Sequence, residues 1–116
     1  MSYPAMTRNL KGVQQSATGT VTFKQQQVGF FDGGEAIQSV YVADTPLKSF
    51  QVTLGGAATV VIEGNDWDGD QSGSWYTVSS TTASAAIKLE QESKFLRARV
   101  SAYTSGTVDV SMISFG

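Results

Sequence analysis

The feature that most constrains the fold is the strict two-residue alternation in the last fifth of the chain. From Phe95 to Tyr103, Leu96, Ala98, Val100 and Ala102 alternate with larger, mostly polar residues. After Thr104-Ser105-Gly106, Val108, Val110 and Met112 alternate with Thr107, Asp109 and Ser111. This period belongs to half-buried β-strands. Read as a hairpin, the two apolar sets share one face only if Tyr103 pairs with Thr107. That register leaves a three-residue loop with Gly106 where the backbone favours positive φ. A slip of one residue would turn every side chain to the other face.

The rest of the chain reads the same way. Strands are predicted over Thr20–Lys24, Gln27–Phe31, Ala36–Val42, Lys48–Leu54, Thr59–Glu63, Trp75–Val78 and Ala85–Leu89. Asp32-Gly33-Gly34, Asp44-Thr45-Pro46, Gly55-Gly56 and an acidic, Gly-rich loop over 64–74 separate them. Helix propensity over Ala83–Val100 is defeated by pattern. A stripe through Leu89, Leu96 and Val100 needs an apolar residue at 92 or 93, where Glu92 and Ser93 stand. Twelve valines, twelve threonines and fourteen serines against two prolines favour strands with polar outer faces. Eight or nine short strands at roughly ten-residue intervals predict an all-β, two-sheet antiparallel β-sandwich, jelly-roll-like or immunoglobulin-like. With 116 residues this is one domain over 19–116, preceded by an irregular N-terminal arm over 1–18 that shows neither period. The arm packs on its own domain or on another subunit, with Tyr3, Arg8 and Leu10 as its contact residues.

Composition narrows the chemistry. With no cysteine there is neither a disulfide framework nor a thiolate metal site. With no histidine, Ser-His-Asp and Cys-His mechanisms are excluded. A net charge of −2 gives no electrostatic footprint for nucleic acid. No apolar run approaches the roughly 18 residues of a membrane span, and no signal-peptide core follows Met1. The expectation is a mature cytosolic product that is not an enzyme, holds no cofactor and engages neither nucleic acid nor membrane.

Four constellations merit weighing. Asp66, Asp68 and Asp70 alternate like the start of a calcium loop, but Gln71 and Thr77 occupy the positions where an EF-hand needs glycine and glutamate. A solvated, charged loop is the simpler account, and no metal is predicted. Trp67 and Trp75 could form a sugar platform. Against that, Trp75 opens a strand and packs in the core or on a sheet edge, leaving Trp67 as the contact residue. Glu63 with Asp66 or Asp68 could be paired as glycosidase carboxylates, but nothing makes either a proton donor. Finally, the outer face of the expected hairpin carries Phe95, Arg97, Arg99, Ile113 and Phe115, the residue types enriched at protein interfaces. The plainer alternative is cross-strand pairing, with Arg99 diagonal to Asp109.

Val60-Val61-Ile62-Glu63-Gly64-Asn65-Asp66, Trp75-Tyr76-Thr77-Val78, Lys94-Phe95-Leu96-Arg97-Ala98-Arg99-Val100 and Tyr103-Thr104-Ser105-Gly106-Thr107-Val108 together resemble small virion proteins of tailed bacteriophages. The likeness covers roughly residues 58–112, and Trp67-Asp68-Gly69-Asp70 interrupts it in the acidic loop. It implies a structural β-sandwich of the virion, most like a capsid decoration (cement) protein. Such a protein is made in the host cytoplasm, assembles as a homotrimer on the capsid surface and ties subunits of the major capsid protein together. On this reading the 1–18 arm reaches a neighbour and the Phe95/Arg97/Ile113 face packs on a partner. A tail or neck component is the alternative within the class. A carbohydrate-binding module for host recognition is the alternative outside it.

Overall fold

The computed structural model describes residues 8–12, 16–26, 36–37, 39–42, 47–66, 75–90 and 93–115. Its strands are β1 (Arg8–Gly12), β2 (Gly19–Thr20), β3 (Phe23–Gln26), β4 (Ala36–Ile37), β5 (Val40–Tyr41), β6 (Leu47–Leu54), β7 (Ala58–Asn65), β8 (Tyr76–Thr81), β9 (Ala85–Glu90), β10 (Phe95–Tyr103) and β11 (Val108–Phe115). They form two antiparallel sheets, ordered β4-β3-β1-β11-β6-β9 and β2-β10-β7-β8, with β5 also pairing β10. We refer to these as the first and second sheets. The expected two-sheet sandwich is therefore observed. Its eight-strand nucleus, β1-β11-β6-β9 over β2-β10-β7-β8, reads 1-8-3-6 over 2-7-4-5 in chain order. That is the jelly-roll arrangement rather than the immunoglobulin one.

The core lies between the sheets and is made by the alternation. In β6, Phe50 and Val52 are buried while Gln51 and Thr53 are exposed. Facing them are Val60 and Ile62 of β7 and Leu96, Ala98 and Val100 of β10, all fully buried. Val108, Val110 and Met112 complete the layer from β11. Phe23 and Phe50 meet as a tilted aromatic pair, centroids 6.5 Å apart.

Three expectations are corrected. The two closing strands are not a hairpin: β10 pairs with β7, and β11 pairs with β1 and β6 in the opposite sheet. Both apolar sets still face the core, because a sandwich offers one interior to both sheets. A bulge between Val100 and Ala102 then reverses the side-chain alternation, leaving Ala102 exposed and Tyr103 packed against the core. The Tyr103 hydroxyl donates to the Gly106 carbonyl at 2.7 Å. Secondly, the predicted strand Thr20–Lys24 changes sheet at its middle, where Val21 donates its amide to Ala98 O at 2.9 Å. Ala36–Val42 divides likewise between β4 and β5. Thirdly, Arg8–Gly12, inside the expected irregular arm, is a strand between β3 and β11. The predicted strand Gln27–Phe31 lies outside the described residues.

Gly106 has φ +85°, as the turn reading required. Its loop joins the sheets and lies against the Gly55–Ala57 turn, which also joins them. Gly55 donates its amide to Thr107 O (2.8 Å), and Thr104 and Ser105 donate theirs to Ala57 O (2.9 and 3.1 Å). The Ala57 amide donates back to Ser105 Oγ at 3.3 Å. These two arches form a clasp at one end of the sandwich.

Candidate functional site

The second sheet brings the chain's polar chemistry together on its outer face. Glu63 of β7 stands opposite Arg97 of β10, and Arg99 follows two residues on, on the same face. Period-two geometry therefore aims both guanidinium groups at one carboxylate. Arg97 Nε donates to Glu63 Oε1 at 2.8 Å, while Arg99 donates from Nε to Oε1 and from Nη2 to Oε2, each at 3.2 Å. Trp75 precedes β8 on the far side of β7, and its indole lies under the Arg97 guanidinium, with Cζ 4.1 Å from the ring centroid. A bulge in the β7–β8 pairing between Ile62 and Glu63 shifts the strand register there.

Burial sets the electrostatics. The Glu63 side chain is 8 % exposed, against 22 % for Arg97 and 38 % for Arg99. Burial alone pushes the Glu63 carboxyl up. Hydrogen bonds from Arg99 and Arg97, with their positive charge, more than offset this and hold it below its ordinary value. Two guanidinium groups share one carboxylate, so among the described residues the array carries one positive charge in excess.

A second polar cluster closes the adjoining end of the sheet. The Tyr76 hydroxyl donates to Asp66 Oδ1 at 3.1 Å and stands 2.6 Å from the hydroxyl of Ser93, which is fully buried. Asp66 Oδ1 also accepts from the Lys94 amide at 3.1 Å. Asp66 thus ties β7 to the start of β10. Asp68 and Asp70 of the calcium reading lie outside the described residues. Among the described residues no three acidic side chains converge as a metal would require.

The structure divides the expected interface patch. Arg97 and Arg99 lie on the outer face of the second sheet, and Phe95 is half-buried at the start of β10, opposite Tyr41 and Asn65. Ile113, 43 % exposed, belongs to the first sheet, as does Phe115, whose backbone pairs with Leu47. Ile113 borders an open depression of about 630 Å³ with Leu47, Ser49 and Lys88. Arg99 and Asp109 are likewise separated, since Asp109 pairs with Thr53 in the first sheet. Of the arm residues, Leu10 is buried in its own domain's core rather than offered to a partner. Arg8 pairs through its backbone with Ser114, and Tyr3 lies outside the described residues, as does Trp67.

Glu63 and Trp75 were not among the expected interface residues, yet they fix the arginines. The signal that could have found Glu63 is the pairing of β7 with β10, since an outward Glu directly opposite an outward Arg is a stabilising cross-strand pair. Comparison of the chain with protein-family models, with curated proteins and with solved structures finds no match.

Proposed function

We propose that this chain is a structural protein of a bacteriophage virion that binds the outer surface of the capsid and bridges subunits of its shell. One observation carries the reading. The segments that resemble tailed-phage virion proteins are scattered over half the sequence, yet they fall on neighbouring elements: β7, the start of β8, β10 and the clasp loop. On β7, β8 and β10 they build the outer face on which Trp75, Glu63, Arg97 and Arg99 stand. Arginine and tryptophan are the residue types that dominate binding energy at protein interfaces. Here they are held in place before any partner arrives, which lowers the ordering cost of association. On this reading the mechanism is burial of surface across subunit boundaries. Bound protein then stabilises the shell by mass action, raising the temperature at which it breaks. The partner is the major capsid protein, with a homotrimer as the bound form.

The test is addition of purified protein to capsids assembled from the major capsid protein of the same phage. Saturable co-sedimentation and a raised disruption temperature are expected. A stable monomer that leaves sedimentation and disruption unchanged ends the proposal.

A further inference from the structure

We infer that the outer face of the second sheet is a docking site for a carboxylate side chain of a protein partner, received between Arg97 and Arg99 beside Trp75. The inference deepens the proposed function by naming the chemistry of the partner, and in the capsid setting it rests on that reading.

The argument begins with charge. Among the described residues, two guanidinium groups and one carboxylate leave an excess of one positive charge on a face whose central acid is 8 % exposed. An arginine carries five N–H donors. Arg97 commits its Nε to Glu63 and Arg99 commits Nε and Nη2, so both Nη atoms of Arg97 and Nη1 of Arg99 have no acceptor among the described residues. The two side chains remain 22 % and 38 % exposed, so part of each guanidinium-bearing side chain meets solvent.

Geometry then selects the ligand. Glu63 fixes both arginines by Nε, and the Trp75 ring lies under Arg97, its centroid 4.1 Å from Cζ. What remains is the planar edge of Arg97, the part of a guanidinium that matches the two oxygens of a carboxylate. One further carboxylate would bring the site to two cations and two anions. The indole, partly withdrawn from water beside it, would strengthen the new bonds by lowering the local dielectric. A protein carboxylate is favoured over a nucleic-acid phosphate because the chain as a whole carries −2 and would repel a polyanion.

The experiment uses the intact chain labelled with 15N. It is titrated with an acetylated Gly-Glu-Gly tripeptide amide, with the Gly-Gln-Gly equivalent and with inorganic phosphate. The glutamate peptide should shift the Nε–Hε resonances of Arg97 and Arg99 and the Trp75 indole resonance saturably, and the glutamine peptide should not. Arg97→Lys keeps the charge but loses the fork, and should weaken glutamate binding by about tenfold. Gln51→Ala, exposed on the other sheet, should leave it unchanged. Equal shifts with both peptides, no shifts with either, or tighter binding of phosphate than of glutamate would overturn the inference, and a thermal melt of each variant separates unfolding from lost contact. Capsid co-sedimentation of the same variants is read separately. Binding of glutamate without binding of capsids leaves this site standing and removes the virion reading. Capsid binding that Arg97→Lys does not weaken removes the site and leaves the virion reading.

Discussion

Replacing Gly106 with alanine should be among the most damaging single-atom additions to this protein, and the cost divides into two measurable parts. The first is conformational. At φ +85° a residue with a Cβ is strained by about 1–2 kcal/mol. The second is steric. The new methyl would land on the Gly56 amide nitrogen and lie 2.6 Å from both Gly55 C and Gly56 Cα. These are backbone atoms, so relief requires the two arches to part. Parting them breaks the hydrogen bonds that the Gly55 amide donates to Thr107 O and the Thr104 and Ser105 amides donate to Ala57 O. Losing these three bonds at about 0.5–1.5 kcal/mol each, on top of the strain, brings the total to about 2.5–6.5 kcal/mol. Against a typical stability of about 5–15 kcal/mol this is a large fraction. Gly19→Ala supplies the control, because Gly19 also has positive φ (+145°) but nothing lies within 4 Å of its added Cβ. Urea unfolding followed by tryptophan fluorescence reads both variants. The expectation is a midpoint lowered by Gly19→Ala and lowered clearly further by Gly106→Ala. If the two variants lose the same stability, the clasp contributes nothing and only backbone strain is left.

Other expectations concern the ion pair, the core and the phenol. The Glu63 carboxyl titrates below its ordinary value of 4.5, so its stabilisation is complete above that pH and is lost as pH falls through its lowered folded value. Glu63→Gln should therefore flatten the acid limb of stability against pH in urea titrations, and an unaltered slope would show that the arginines do not hold it. At neutral pH the same change should cost only about 1–2 kcal/mol, because the partly exposed arginines recover water. Phe50→Ala, in a fully buried site against Phe23, should destabilise by about 3–5 kcal/mol in the same assay; a loss under about 1 kcal/mol would mean the pair is not central. Burial, with the Asp66 hydrogen bond and charge adding and Ser93 opposing, raises the Tyr76 phenol above 10.0. Alkaline spectrophotometric titration should show a late-ionising tyrosine that Asp66→Asn makes earlier. A transition indifferent to that change would refute the tether.

The fold was legible where one property decided it. Lys48–Leu54 alternates because one face meets the core, and the face assignments of Phe50, Val52, Val60 and Ile62 follow directly. What alternation cannot state is which strand lies alongside. Leu96–Val100 and Val108–Met112 fill the core whether they pair with each other or face each other across it, and a loop with Gly106 at positive φ serves either arrangement. The sheet change at Val21 left no mark for the same reason: Val21 and Phe23 are both fully buried, although one follows β2 in the second sheet and the other opens β3 in the first. In β1, Leu10 stands alone as an apolar residue among Arg8, Asn9, Lys11 and Gly12, too few to show a period. The arginines were legible as outward-facing. Their partner Glu63 lies 34 residues before Arg97 and 36 before Arg99, and the β7–β10 pairing brings them together.

The position of β11 has a consequence for how this molecule comes into being. β11, far along the chain from β1 and β6, is an interior strand of the first sheet placed between them, with Ser114 against Arg8. On a ribosome, β1 and β6 would emerge long before the strand that separates them, each with an inner edge of unpaired amides and carbonyls. Val108, Val110 and Met112 would also be missing from the core until that moment. The first sheet therefore cannot close until residues 108–115 have emerged. Until then the vacant slot is open to the β11 of a sister chain, a ready route to strand exchange between copies when many are made at once.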